Sequence, residues 1–361
     1  MMRSVMMMQP NFGRLENALH HEEPDRLPLA EALVAYEIQS QFLGKTVTDS
    51  DLRSQIEFWV RAGYDFIPLT VGMMSPGEIT KESSIFGVVQ KVLKKDEDTE
   101  EVIPWDIEEK GVISDPKDYE RFPWGEAAKL DFSKFSKVQP FLPEGMKIIA
   151  CSGKIFTLAW MLMGFQNFCL SLYLQEELVE KVFQKIGEIQ LQGVNKLLEI
   201  PNIGGLWVVD DLSYGSGTMI DPKFLRKYVF PWYEELASIC KKKNLLFILH
   251  SDGNIWPIME DLITIGFEAI HPIDPTSMSI NEVKEKVGEK LGIIGNIHTD
   301  LLATGTPEEI QELTKKRIKE IAPGGGYALG SGNSVPNWVQ FENYQAMRET
   351  VLKYGSYPIS L

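Results

Sequence analysis

His250 and Asp252 stand two residues apart in the pentad His250-Ser251-Asp252-Gly253-Asn254, directly after the apolar run Leu245-Leu246-Phe247-Ile248-Leu249. An imidazole and a carboxylate at that spacing point to one side of an extended chain. The pair suits two kinds of chemistry. It can ligate Zn²⁺ or another divalent ion, or it can move a proton. Gly253 beside them lets a ligand approach the backbone. Two ligands do not make a metal site, so the residues that follow other apolar runs matter. Asp210 and Asp211 follow residues 206–209, and His271 and Asp274 fall at 268–273. Asn296 and His298 follow 291–294, and Ser331 and Asn333 follow 327–329. Glu31 and Tyr36 come after 26–30, Met73 and Met74 after 64–71, and Cys151, Ser152 and Gly153 after 147–150. Three of the five histidines thus sit where a strand would end.

Each residue also has a plain structural reading. One of Asp210 and Asp211 can serve only as a helix or turn cap. His271 reads better as hydrogen-bonded scaffold than as a catalytic group. Phe156, Trp160, Met161, Met163 and Phe165 read as core, with an apolar substrate pocket as the alternative. Gly324-Gly325-Gly326 lacks the Lys-Ser/Thr of a phosphate loop and reads as a turn.

The elements that must position these residues form a repeating pattern. Eight apolar, β-rich runs are predicted as strands, at 26–30, 64–71, 147–150, 206–209, 245–249, 268–273, 291–294 and 327–329. Helical spacing marks 176–200, 222–243, 281–287 and 306–322, the last opening on the capping sequence Thr306-Pro307-Glu308-Glu309. Strands alternating with helices imply a parallel sheet, and eight such units imply a closed (β/α)8 TIM barrel in an α/β chain. The expected layout is a single domain over 1–361, with an N-terminal extension before the barrel. A hairpin-bearing insertion of about 79–140 would separate strands 2 and 3. The polar strand ends would then meet at one face. No Gly-x-Gly-x-x-Gly follows the first strand, which disfavours a dinucleotide fold.

Composition narrows the partners. A formal net charge of -15 argues against nucleic acid and anionic membranes. Three cysteines without CxxC spacing fit a reducing cytoplasm. The uncharged stretch 155–174 is interrupted by Gly164, Gln166, Asn167 and Ser171 and reads as a buried helix with its preceding loop, not a membrane span.

Several short matches occur together along nearly the whole chain. They are Ala18-Leu19 with Pro24-Asp25-Arg26-Leu27-Pro28, Phe156-Thr157-Leu158-Ala159 with Gly164, and Asp210-Asp211. Ile220-Asp221-Pro222, His250-Ser251-Asp252-Gly253, Gly295-Asn296-Ile297, Gly330-Ser331-Gly332 and Glu342-Asn343 complete them. With these the chain resembles the uroporphyrinogen decarboxylase superfamily, and within it the corrinoid-dependent methyltransferase branch. Two departures carry information. Uroporphyrinogen decarboxylases hold propionates with arginines after the first strand, whereas here that stretch is Glu31-Ala32-Leu33-Val34-Ala35-Tyr36-Glu37. The thiol-activating methyltransferases carry His-x-Cys and a later Cys on zinc, whereas here Asp252 replaces the first Cys and Ser331 stands near the second.

The resemblance that remains is to aryl methyl ether O-demethylase methyltransferases of anaerobic metabolism. It implies transfer of a methyl group from an O-methyl donor, a methoxylated aromatic, to the Co(I) of a separate corrinoid protein. His250, Asp252, Asp210, Asp211 and His298 are the expected catalytic residues. Tyr36, Met73, Phe156, Trp160, Ser331 and Asn333 are the expected substrate contacts. Zn²⁺ is the expected metal, on His250 and Asp252 with His298 or Ser331. The alternative to a metal is a proton supplied by a His or by Asp210 or Asp211. A homodimer follows from the superfamily alone. The rival functions are a carboxy-lyase on a smaller acid, served by Lys154 or Arg226; a methyl-corrinoid:thiol methyltransferase; and a non-catalytic tetrapyrrole-binding protein.

Overall fold

The computed structural model describes residues 9–71 and 111–361. Its centre is a sheet of seven strands: β1 Phe66–Thr70, β2 Lys147–Cys151, β3 Ile203–Val209, β6 Leu246–His250, β7 Ala269–His271, β8 Gly292–Ile294 and β9 Tyr327–Ala328. A separate two-stranded hairpin, β4 Ser213–Tyr214 with β5 Gly217–Thr218, follows β3. The seven strands stand in chain order and every neighbouring pair is parallel. Parallel strands are covered on both faces, which is why they read as continuous apolar runs. β6 is buried at every residue.

Alternate strand residues feed two cores. Phe66, Ile149, Cys151, Trp207, Ile248, Ala269, Ile294 and Ala328 share one buried cluster with Ala30. The N-terminal helix Phe12–Leu19 closes that cluster with Phe12, Leu15 and Leu19. The opposite strand faces pack against the helices in a larger core, as with Leu206, Val208 and Leu249 beside Val182, Ile186 and Leu236. The helix Glu176–Leu197 contributes Val179, Val182, Ile186 and Ile189 from one stripe, while its Glu and Lys residues face outward.

The closed eight-stranded barrel is reduced to seven paired strands. Residues 26–30 form no strand. They make one parallel bridge, Leu29 to Leu329, in which Ala30 N–H donates to Leu329 O (2.9 Å) and Leu329 N–H to Pro28 O (3.0 Å). Pro28 has no N–H to extend a ladder, and Arg26 bridges antiparallel to Ser356 instead. The stretch 155–174 becomes two helices, Phe156–Met163 and Phe165–Leu174, bent by 98° at Gly164. Gly164 has φ 73 and sits against Gly111, so a side chain would be strained there. Among the described residues no single helix is long and apolar enough to cross a membrane. The predicted helix 222–243 is broken as well, into Pro222–Tyr228 and Phe230–Lys243, with Pro231 in the first turn of the second. In the expected insertion, the part after residue 110 is helical (Pro116–Arg121, Trp124–Ala127, Ser133–Val138); the expected hairpin lies outside the described residues.

Candidate metal centre at the strand ends

His250 closes β6 and His271 closes β7, and the register pairs the two residues directly. Their rings leave the sheet on one side, with the two Nδ1 atoms 2.7 Å apart. One nitrogen must therefore donate and the other accept. Burial, with the His250 ring beside it, lowers the His271 pKa far below the usual imidazole range, so His271 stays neutral. Trp207 meets the His271 ring edge to face at 5.0 Å. This buttress fixes the His250 ring and leaves its Nε2 near the carboxylates, 3.6 Å from Asp211 Oδ1.

Asp211, His250 and Asp252 each offer one ligand atom within 4.8 Å of the others. The backbone N–H of Asp252 donates to Asp211 Oδ1 (3.3 Å), and Asn333 Nδ2 donates to Asp252 Oδ2 (2.6 Å). Burial pushes the Asp252 pKa up to about 6; His250 and the Asn333 bond work against that rise, and Asp211 adds to it. Gly253 turns the chain away with φ 82, where a Cβ would lie 2.5 Å from Tyr214 O. The β4–β5 hairpin thus packs tightly on the loop that carries Asp252, and Asn254 N–H donates to the same Tyr214 carbonyl (2.7 Å).

One imidazole nitrogen and two carboxylate oxygens make a donor set suited to Zn²⁺ or a similar divalent ion. An imidazole held from behind through its other nitrogen is the arrangement that metal-binding histidines use. No cysteine joins the cluster. Cys151 and Cys240 are buried with thiol pKa values pushed up to about 12 by desolvation, so neither offers a thiolate.

Residues 115–354 match the family model for uroporphyrinogen decarboxylase, two thirds of the chain. The chain belongs to the uroporphyrinogen decarboxylase family. Among the curated proteins none matches it. Among solved structures, a methyltransferase from Methanosarcina mazei is similar in fold, with 17% sequence identity, a TM-score of 0.64, and coverage of 94% of this chain and 98% of that one.

Within this family fold the expected site residues divide. His250, Asp252 and Asp211 come together with Asn333. Asp210 does not join them. Its carboxylate accepts from the backbone N–H of Ile155, Phe156 and Thr157, each at 2.7 Å, and from Tyr233 OH at 2.7 Å. Asp210 is a saturated cap for the helix Phe156–Met163, where an anion complements the helix dipole. Ser331 is fully buried and gives both its N–H and Oγ–H to Glu31, each at 2.6 Å. His298 caps the helix Thr299–Thr304, its Nδ1 accepting from Asp300 N–H (3.1 Å). It lines a cavity of about 390 Å³ with Asn333 and Trp338, one step removed from the three ligands. His298 does not belong to the ligand group, and the Ser331 hydroxyl is given to Glu31.

The expected substrate contacts scatter. Phe156 is core, edge to face with Phe168. Tyr36 OH donates to Asp49 (2.8 Å). Trp160 packs edge to face on Phe165, which meets Tyr214 of the hairpin. Met73 lies outside the described residues. Arg226 is exposed and paired with Asp261, and Lys154 is buried near Asp211 and Asp210, its pKa lowered by desolvation. The sequence marks Asp211 as a catalytic candidate but not as a ligand, and two adjacent aspartates offer no local means of choosing between them.

Proposed function

We propose that this chain is a methyltransferase that moves a methyl group from an O-methyl donor, a methoxylated aromatic, to the Co(I) of a separate corrinoid protein. The observation that carries the reading is the buttressed Asp211–His250–Asp252 group at the ends of parallel strands, where α/β enzymes of this class place their chemistry. In the reaction the methyl–oxygen bond breaks and its electron pair stays on oxygen. The cobalt supplies the pair for the new bond and passes to the Co(III) level. Negative charge therefore develops on the leaving oxygen, and neutralising it is the task of the site.

A divalent ion held by Asp211, His250 and Asp252 would supply Lewis-acid neutralisation of that oxygen. The chain's own residues hold the ring and carboxylates in place. His271 fixes the His250 ring from behind, Asn333 fixes Asp252, and the β4–β5 hairpin seats the 252–254 turn. A carboxy-lyase reading loses support here. Such an enzyme needs a cation to hold the substrate acid, and Lys154 and Arg226 already stand beside aspartates. On the same reading the chain is one cytoplasmic domain, with residues 26–30 standing as the eighth stave of the barrel.

The test is anaerobic. The chain is mixed with a reduced corrinoid protein and a methoxylated phenol, and the Co(I) to methyl-Co(III) spectral change is followed. Conversion with release of the free phenol, abolished in His250→Ala, is the expected result. No conversion across a varied set of methoxyarenes, with the corrinoid protein shown active, overturns the donor and acceptor assigned.

A further inference from the structure

Beside the candidate metal centre lies a cavity of about 390 Å³ whose lining includes Asp274, His298, Asp300, Asn333, Pro336 and Trp338. One contact joins it to the centre, and one exposed ring marks it as a ligand surface. Asn333 lines the cavity and also donates to Asp252 at 2.6 Å. Trp338, although a large apolar ring, is 55% exposed at this cavity. An exposed indole next to a polar, half-enclosed space is the surface on which a flat ligand stacks.

The charge of the lining is as informative as its shape. Asp274 and Asp300 are both in it, and neither Lys nor Arg is. Asp274 is tied by Thr276 N–H (2.9 Å), Thr276 Oγ1 (2.7 Å) and Ser277 Oγ (2.7 Å), so it is a fixed negative charge. Asp300 lies at the start of its helix, beside His298. A ligand carboxylate here would meet two like charges and no Lys or Arg. A phenol, an amine or an ammonium would meet acceptors, and a cation would gain the indole face as well.

The geometry points to this cavity as the subsite for the body of the methyl donor, with a ring on Trp338 and a neutral or cationic substituent toward Asp300, and with carboxylated rings excluded. The inference rests on the reading of the neighbouring cluster as the methyl-transfer site. It replaces Phe156 and Tyr36 as substrate contacts by Trp338, Asn333 and Asp300.

Calorimetric binding tests it without any turnover. The probes are 2-methoxyphenol, 4-methoxybenzylamine and 4-methoxybenzoate, each titrated into the full chain. The amine and the phenol are expected to bind, and the benzoate to bind at least about tenfold more weakly than the amine. Trp338→Ala should weaken amine and phenol binding by roughly tenfold or more, with Trp338→Phe restoring most of it. Asp300→Lys should reverse the order of amine and benzoate. Equal or tighter benzoate binding by the unaltered chain overturns the charge class. Binding unchanged in Trp338→Ala overturns the subsite, even if methyl transfer proceeds. Binding that follows these variants with no methyl transfer to any corrinoid protein leaves the subsite standing and removes the proposed reaction.

Discussion

The two ends of the strands hold charges in opposite ways. At the N-terminal end, Asp65 is fully buried just before β1, and the guanidinium of Arg14 bonds to it. Arg14 also pairs with Asp25 through Nε (2.5 Å) and Nη2 (2.9 Å), and Arg26 Nη2 lies 3.6 Å from Asp65. Asn11 N–H (2.9 Å) completes the set. Two arginines thus meet two aspartates, and the network ties the first helix, the 24–28 segment and β1 together. At the C-terminal end, Asp211 and Asp252 share their space with one imidazole, and Lys154 is the nearby cation. Balanced charge at one end holds the fold. Excess negative charge at the other is costly and persists where something positive is to be bound.

The largest loss is expected at Asp65. Asp65→Leu leaves Arg14 and Arg26 buried beside a lost partner and should cost about 3–5 kcal/mol of unfolding free energy. Chemical denaturation measures it, and the metal affinity of the folded fraction should stay unchanged. A variant of normal stability would remove the structural role of this end.

A smaller effect is expected at Glu31, which meets no cation among the described residues. Burial raises its pKa from the usual carboxylate value to about 8, against two hydrogen bonds from Ser331. The folded pKa lies above the unfolded one. Glu31 therefore contributes stability that is full below pH 4.5 and is lost as pH rises through 8, with a slope of up to about 1.4 kcal/mol per pH unit between them. Glu31→Gln should flatten this slope, so that its thermal midpoint gains on the parent chain between pH 5 and pH 9. An unchanged pH profile contradicts a carboxyl kept neutral by burial.

Much of this was legible in the chain. Strand positions followed from continuous apolar runs, and seven of the eight runs are strands, because a parallel sheet covered on both faces leaves that imprint. The 26–30 run looks like the others by its apolar residues. Pro28 is the one local mark against a paired strand, whereas the bridge from Arg26 to Ser356 depends on a partner segment more than 300 residues away, beyond any local pattern. His250 and Asp252 were legible from their spacing. Asp211 was not separable from Asp210, because the choice is made by three backbone N–H groups of a helix some 50 residues earlier, which claim Asp210. Trp338 carried no signal, since an isolated aromatic after a strand has no period or motif. Its cavity exists only where the 274–276, 298–300 and 332–338 segments converge.

On the proposed reading Asp211, His250 and Asp252, and not Asp210, hold a divalent ion. The direct measurement is calorimetric titration of the chelator-treated chain with Zn²⁺, repeated for His250→Ala, Asp211→Asn and Asp210→Asn. One tight ion per chain is expected, with affinity lost in His250→Ala and lowered at least about tenfold in Asp211→Asn. Asp210→Asn should keep the ion but unfold more easily, by about 1–3 kcal/mol. Tight binding that survives both His250→Ala and Asp211→Asn, or no binding by the unaltered chain, would contradict the account.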